Sequence, residues 1–240
     1  MTGPSAQVRA DEFRSRLLRA RQRIEAVSAD PASVRIVAVT KGFGIEAVRL
    51  ALAAGLVDIG ENYADELVAK AGQLAGGNAG AGEVGHEAAT SGAPAWHFLG
   101  AVQRNKVARL APLVSCWQGL SRLEEGEAIA RRHPGATVLV QVDVAGLSGR
   151  GGCSPERVPE LVAGLRDRPL EVVGLMAVGP PGPPDAARPG FARVSSLADS
   201  LDLPVRSMGM TDDLEVALSE GSTMVRLGRA LFGDRPPRSG

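Results

Sequence analysis

At 240 residues, with 44% hydrophobic and 22% charged side chains, the chain is long enough for one large domain with a substantial core. Its 27 basic and 27 acidic residues cancel to a formal net charge of zero and no basic block stands out, which argues against electrostatic binding to nucleic acid or a membrane surface. No apolar run approaches the ~20 residues of a spanning helix, the mixed polar N-terminus is unlike a signal peptide, and Cys116 and Cys153 are too few for a disulfide framework, so a reduced, cytoplasmic setting is expected.

Residues 6–29 place Val8, Phe13, Leu17 and Ile24 at helical spacing among charges and predict an amphipathic leading helix. Strand-like and helix-like segments then alternate. Strands are expected at 34–40, 57–59, 96–99, 113–116, 138–142, 172–176, 205–207 and 224–227. Helices are expected at 45–54, 63–71, 103–110, 123–132, 155–165, 191–201 and 214–219. Thr211-Asp212-Asp213-Leu214-Glu215 reads as a helix start whose acids suit the positive end of the dipole.

Eight strands alternating with helices predict an α/β fold, a single (β/α)8 TIM barrel with one extra N-terminal helix, occupying 1–240 as one domain. An open doubly wound sheet is the rival, and it lacks the glycine-rich turn it would need after the first strand. Residues 72–94 read as a flexible insertion, 179–190 as a Pro/Gly-rich loop, and 234–240 as a disordered tail.

Lys41 stands between the β-branched run Val34-Arg35-Ile36-Val37-Ala38-Val39-Thr40 and the exit turn Gly42-Phe43-Gly44. It is one of three lysines in a chain that otherwise uses arginine. Arginine cannot become a neutral nucleophile; a desolvated lysine can, and its amine then forms a Schiff base with an aldehyde. A lysine that merely caps a strand end is the competing reading. The other strand ends carry Glu61, Asn62, His97, Asp143, Met176, Ser207 and Arg226, at the end of a barrel where sites are built.

The last two strands lead into Ser207-Met208-Gly209-Met210-Thr211 and Arg226-Leu227-Gly228-Arg229, where barrels commonly bind phosphate. Glycines let backbone N–H groups approach a phosphate, and Ser207 and Thr211 add hydroxyls. A lysine beside a phosphate cradle suits an aldehyde that carries a phosphate, and pyridoxal 5'-phosphate (PLP) has both.

The segments AVTKGF, GENYADEL, WHFLGAVQRNK, GLMAV and SMGMTDDLEVALSEGSTMVRLGRALFG resemble the signature segments of the pyridoxal phosphate homeostasis proteins, the YggS/PROSC family, from about Ile36 to Gly233. The resemblance implies a single barrel of the alanine-racemase type that holds PLP on a lysine. It assigns Lys41 to the Schiff base and Arg226 to the pyridine nitrogen. Ser207 and the backbone at Gly228 and Arg229 would hold the phosphate, with Asn62, His97 and Met176 lining the pocket. It also implies a monomer in transient contact with PLP-dependent apo-enzymes. Ala101, Arg104 and Arg150 depart from the family's usual residues, outside the cofactor positions.

Arg226 favours binding over turnover. PLP is a strong electron sink when its ring nitrogen is protonated, and a guanidinium only donates. A racemase would also need a second acid/base on the far face, and the one tyrosine, Tyr63, lies in the GENY segment with no second domain. The expected function is therefore PLP homeostasis without dedicated turnover. A low-activity PLP-dependent amino-acid racemase is the alternative, and a barrel for another phosphorylated ligand leaves the lysine without a role. His97, between Trp96 and Phe98, is either a general base or a hydrogen-bonded core histidine, the latter favoured. Glu61 and Asp65 read as serving a helix dipole, Lys106 as a surface residue, and Cys153 as a thiol that a loop could expose. No metal-ligand spacing is present.

Overall fold

The computed structural model describes residues 6–77, 92–146 and 151–235. Eight parallel strands close into a barrel in chain order: β1 (Arg35–Val39), β2 (Asp58–Glu61), β3 (Ala95–Phe98), β4 (Val114–Leu120), β5 (Ala136–Val142), β6 (Leu170–Ala177), β7 (Val205–Ser207) and β8 (Met224–Leu227). β8 pairs back onto β1 in the register Val37 to Arg226 and Ala38 to Leu227, which disposes of the open sheet. Around the barrel lie α1 (Ala6–Glu25), α2 (Ile45–Ala53), α3 (Ala64–Gly77), α4 (Val107–Leu110), α5 (Leu123–Arg132), α6 (Val158–Arg166), α7 (Arg188–Ser200), α8 (Leu214–Ser219) and α9 (Arg229–Phe232).

Three segments differ from expectation. The helix α3 runs to Gly77, six residues into the stretch read as an insertion. The rest of that stretch from 78 to 91, Arg150, and the tail from 236 lie outside the described residues. The Pro/Gly-rich loop contains a 3-10 turn, Pro184–Ala187, and the first residues of α7. The four-residue α9 was too short to leave a periodic signal.

Strand side chains alternate between two environments. In β1, Ile36 and Ala38 pack into the large apolar layer beneath the helices, while the buried Val37 and Val39 stay out of it and face the barrel interior. Trp96, Phe98 and Trp117 likewise join the helix-side layer, and Cys116, Leu139 and Met176 form a small cluster of strand residues inside. Burial of Leu67, Leu110, Ile129 and Leu165 in the outer layer is worth about 1.5–3 kcal/mol apiece, so that layer drives closure.

The leading helix α1 buries Phe13, Leu17, Ala20 and Ile24 in one stripe; Val8 falls off it and is exposed. The stripe packs on α8 and α9, with the rings of Phe13 and Phe232 5.2 Å apart. Arg23 forks onto Glu215 at 2.6 and 2.8 Å and donates to the Thr211 carbonyl at 2.9 Å. The extra helix thus buttresses the loop between β7 and α8.

Candidate functional site

The same alternation decides which strand ends reach the open end of the barrel. Val39, Lys41, Asn62, Leu99, Met176, Val178, Arg226 and Gly228 share the inward parity and line one cavity of about 600 Å³. Met210, Thr211, Asp212, Arg229, Gly233 and Arg235 complete its wall. Arg235 was not anticipated: Gly233, at φ +78°, turns the chain back after α9 and brings Arg235 beside Gly42.

Lys41 is half-buried in this wall. Burial pushes its amine below the ordinary lysine range, and the charges of Arg235 and Arg226 push the same way against Glu61 and Glu66. Its backbone is held on both sides. The buried Lys70 of α3 donates to the Thr40 carbonyl at 2.8 Å, to Glu61 Oε1 at 2.5 Å and to Glu66 Oε2 at 3.4 Å. Thr40 Oγ1 donates to Glu61 Oε1 at 2.5 Å, and the Gly42 N–H donates to Glu66 Oε2 at 2.8 Å. Gly42 sits at φ +74°, a turn that glycine makes cheaply.

Glu61 therefore does not serve a helix dipole. It has the outward parity, is buried beneath α3, and burial raises its pKa against the opposing influence of Lys70 and Thr40. Asp65 does stand in the first turn of α3, where an acid suits the dipole, and it also bridges Lys106 at 3.1 Å and Arg109 at 3.0 Å on the surface.

Arg226 is buried at the cavity floor. Its Nη1 donates to the Ser207 carbonyl at 2.5 Å and to Ser207 Oγ at 2.8 Å, and its Nη2 donates to the Ala177 carbonyl at 2.7 Å. Burial lowers its pKa to about 10, with Asp213 opposing. One Nη2 hydrogen and the Nε–H have no partner among the described residues, so the guanidinium still has donors to offer.

Beside it, the backbone N–H groups of Gly228 and Arg229 bond nothing among the described residues. Thr211 Oγ1 accepts from the Ala230 N–H at 3.1 Å, leaving its own proton to donate. Arg229 pairs with Asp212, and Asp213 takes the Met210 N–H at 2.6 Å instead of capping α8 with its side chain. Asn62 Oδ1 is buried without a partner among the described residues. Among the described residues, four basic side chains, Lys41, Arg226, Arg229 and Arg235, face one acid, Asp212: the wall suits an anion with a nearby hydrogen-bond acceptor.

Six of the eight expected site residues meet here: Lys41, Asn62, Met176, Arg226, Gly228 and Arg229. His97 and Ser207 do not reach the wall. His97 lies two residues below Leu99 on β3, buried with Nε2 2.9 Å from Asp58 and Nδ1 2.7 Å from Gln118. Ser207 is fully buried and spends its hydroxyl on Gln118 and Arg226, and Thr211, four residues on, is the hydroxyl that lines the cavity. Asp143 turns onto its own loop, accepting the Ala145 and Gly146 N–H groups. Tyr63 is half-exposed and off the wall, and Cys153 is buried, its thiol pushed up by burial.

Residues 8–236 match the family described as alanine racemase, N-terminal domain. A pyridoxal phosphate homeostasis protein of Pseudomonas aeruginosa is 38% identical over 226 residues, covering 90% of this chain and 91% of its own. Among solved structures, an unknown protein from Bifidobacterium adolescentis superposes with a TM-score of 0.82 at 30% identity, covering 96% of this chain and 98% of the other. PipY of Synechococcus elongatus with PLP bound superposes with a TM-score of 0.76 at 26% identity, covering 92% of this chain and 100% of PipY. With the family match spanning nearly the whole sequence, the chain belongs to the pyridoxal phosphate homeostasis proteins, built on the barrel of the alanine racemase N-terminal domain.

Proposed function

We propose that this protein binds PLP at the open end of its barrel as a Schiff base on Lys41, and serves intracellular PLP homeostasis by holding and giving up the cofactor without dedicated turnover. The observation that carries this reading is one cavity in which a lysine amine of lowered pKa faces unused N–H donors at Gly228, Arg229 and Arg226. The residues fit the group: the buried, orphaned Asn62 Oδ1 lacks the partner that a ligand would bring, and the free backbone donors match a phosphate. PLP supplies an aldehyde that a neutral amine can attack and a ring that withdraws electrons when its nitrogen is protonated.

Lys41 would hold the aldehyde carbon, its neutral form favoured by burial and by Arg235 and Arg226. Gly228, Arg229 and Thr211 would hold the phosphate. Arg226, which only donates, would face the ring nitrogen and keep it unprotonated, weakening the ring as an electron sink. Among the described residues, Asp212 is the sole carboxylate on the wall, and Arg229 engages it. No free acid/base there complements Lys41 for moving an α-proton. The protein is read as a cytoplasmic monomer that passes PLP to apo-enzymes in transient encounters.

Adding PLP to the purified protein should produce a visible band that Lys41→Ala does not form. Incubation with L- or D-alanine in deuterated water should leave the α-proton in place. A colourless protein that does not take up PLP refutes the binding reading, and exchange at enzymatic rates refutes the carrier reading in favour of a racemase.

A further inference from the structure

Below the cavity floor a line of buried polar side chains crosses the barrel interior. Arg226 Nη1 meets Ser207 Oγ at 2.8 Å, and Ser207 Oγ meets Gln118 Oε1 at 2.7 Å. Gln118 Nε2 meets His97 Nδ1 at 2.7 Å, and His97 Nε2 meets Asp58 Oδ1 at 2.9 Å. Asp58 and its partner Arg35, 2.5 Å away, stand at the first residues of β2 and β1, the opposite end of the barrel from the cavity. We propose that Gln118 and His97 are positioning residues for Arg226, forming with Ser207 and Asp58 a chain of hydrogen bonds that runs in one direction and fixes how the guanidinium is presented to the cavity. The link to the cofactor rests on the proposed placement of the PLP ring nitrogen against Arg226.

The two ends dictate the middle. A guanidinium only donates, so Ser207 Oγ accepts from it and turns its single proton to Gln118 Oε1. The amide therefore presents its NH2 to His97 Nδ1, its second hydrogen going to Met224 Sδ at 3.2 Å. At the far end, burial alone would raise the Asp58 carboxyl, but bonds from His97 and Arg35 outweigh it and hold the group ionised, hence accepting. His97 is then the neutral imidazole with its proton on Nε2. Reversing the Gln118 amide would set an NH2 against Ser207 and leave the buried Ser207 proton without an acceptor, a costly arrangement in a dry interior. The Ser207 carbonyl and hydroxyl together hold Nη1, which fixes that edge of the guanidinium and leaves the Nε–H and the second Nη2 hydrogen for the cavity.

Two experiments test this. Nitrogen NMR of the 15N-labelled apo-protein should show His97 with a bare Nδ1 and a protonated Nε2; a proton on Nδ1, alone or with Nε2, overturns the direction of the chain. In PLP binding, Gln118→Met and Asp58→Leu should weaken affinity about three- to tenfold, the loss expected for one misdirected hydrogen bond, and should move the visible band of the loaded protein. Asp58→Asn, which still accepts from Nε2, should stay within about twofold of the parent. Asp58→Leu lies at the rim and decides the matter if Gln118→Met does not fold. Folded variants with parental affinity and an unmoved band refute the positioning role. If the parent protein takes up no PLP, the binding reading falls, and the NMR result decides the chain by itself.

Discussion

Replacing Lys70 with methionine isolates the support behind Lys41. Methionine retains most of the volume but none of the charge. The Lys70 and Glu61 side chains are 6% and 0% exposed, and the ammonium serves Glu61, Glu66 and the Thr40 carbonyl at 2.5, 3.4 and 2.8 Å. Removing one partner of such a buried pair costs about 3–5 kcal/mol, because the other charge is left uncompensated. In a protein of this size that lowers Tm by on the order of 10 °C. The cost should depend on pH in a stated direction. Burial holds the Glu61 pKa above its unfolded value even beside Lys70, and without Lys70 the rise is larger. A group raised on folding contributes stability that is full below the unfolded pKa and lost as pH rises through the folded one. Urea unfolding of apo Lys70→Met, followed through the buried Trp96 and Trp117, should therefore show a smaller deficit at pH 5 than at pH 8. Adding Glu61→Gln should recover part of the loss at pH 8. A deficit under about 1 kcal/mol, or one equal at both pH values, would refute the reasoning.

Arg235→Gln removes the largest charge contribution lowering the Lys41 pKa, so the pH midpoint for growth of the visible band on mixing with PLP should rise; an unmoved midpoint contradicts Arg235's place at the site. Gly209→Ala forces a side chain onto a residue at φ +91° and sets its Cβ 2.7 Å from that of Ala217, for a cost of about 1–3 kcal/mol in urea unfolding. Gly44→Ala, with nothing within 4 Å, should cost under about 0.5 kcal/mol, and equal costs at the two positions would undercut the packing argument. Burial pushes the Cys116 thiol to about 12 and raises that of Cys153, so a disulfide-exchange reagent at pH 8 should modify neither until the protein is unfolded. Rapid modification of either in the native protein contradicts that placement.

Much of the fold was legible because local signals agreed. β-branched runs alternating with amphipathic stretches announced eight βα units, and the spans of β7, β8, α5 and α8 match expectation residue for residue. Within the site, reading strand ends as one set was too coarse. Parity separates Asn62, which lines the cavity, from Glu61, which turns under α3, and depth separates Leu99 from His97. Ser207 was assigned a phosphate because its hydroxyl stands in a phosphate-loop motif, yet Arg226 and Gln118 consume it from inside the barrel. Those partners are 19 and 89 residues away, beyond any local pattern. Lys70 is different, since its signal was available: it is one of the three lysines in an arginine-rich chain. It fills a buried slot suited to a slender ammonium that a guanidinium would overfill. Arg235 left no comparable trace, being placed by the turn at Gly233 after a helix of four residues.

The central claim is that the Lys41 amine holds the cofactor, and peptide mapping after borohydride reduction of the PLP-loaded protein tests it most directly. One reduced pyridoxyl phosphate group is expected, on the peptide carrying Lys41, with unmodified peptides for Lys70 and Lys106. Label on either of those lysines with Lys41 unmodified, or no label in a protein that has bound PLP, would contradict it.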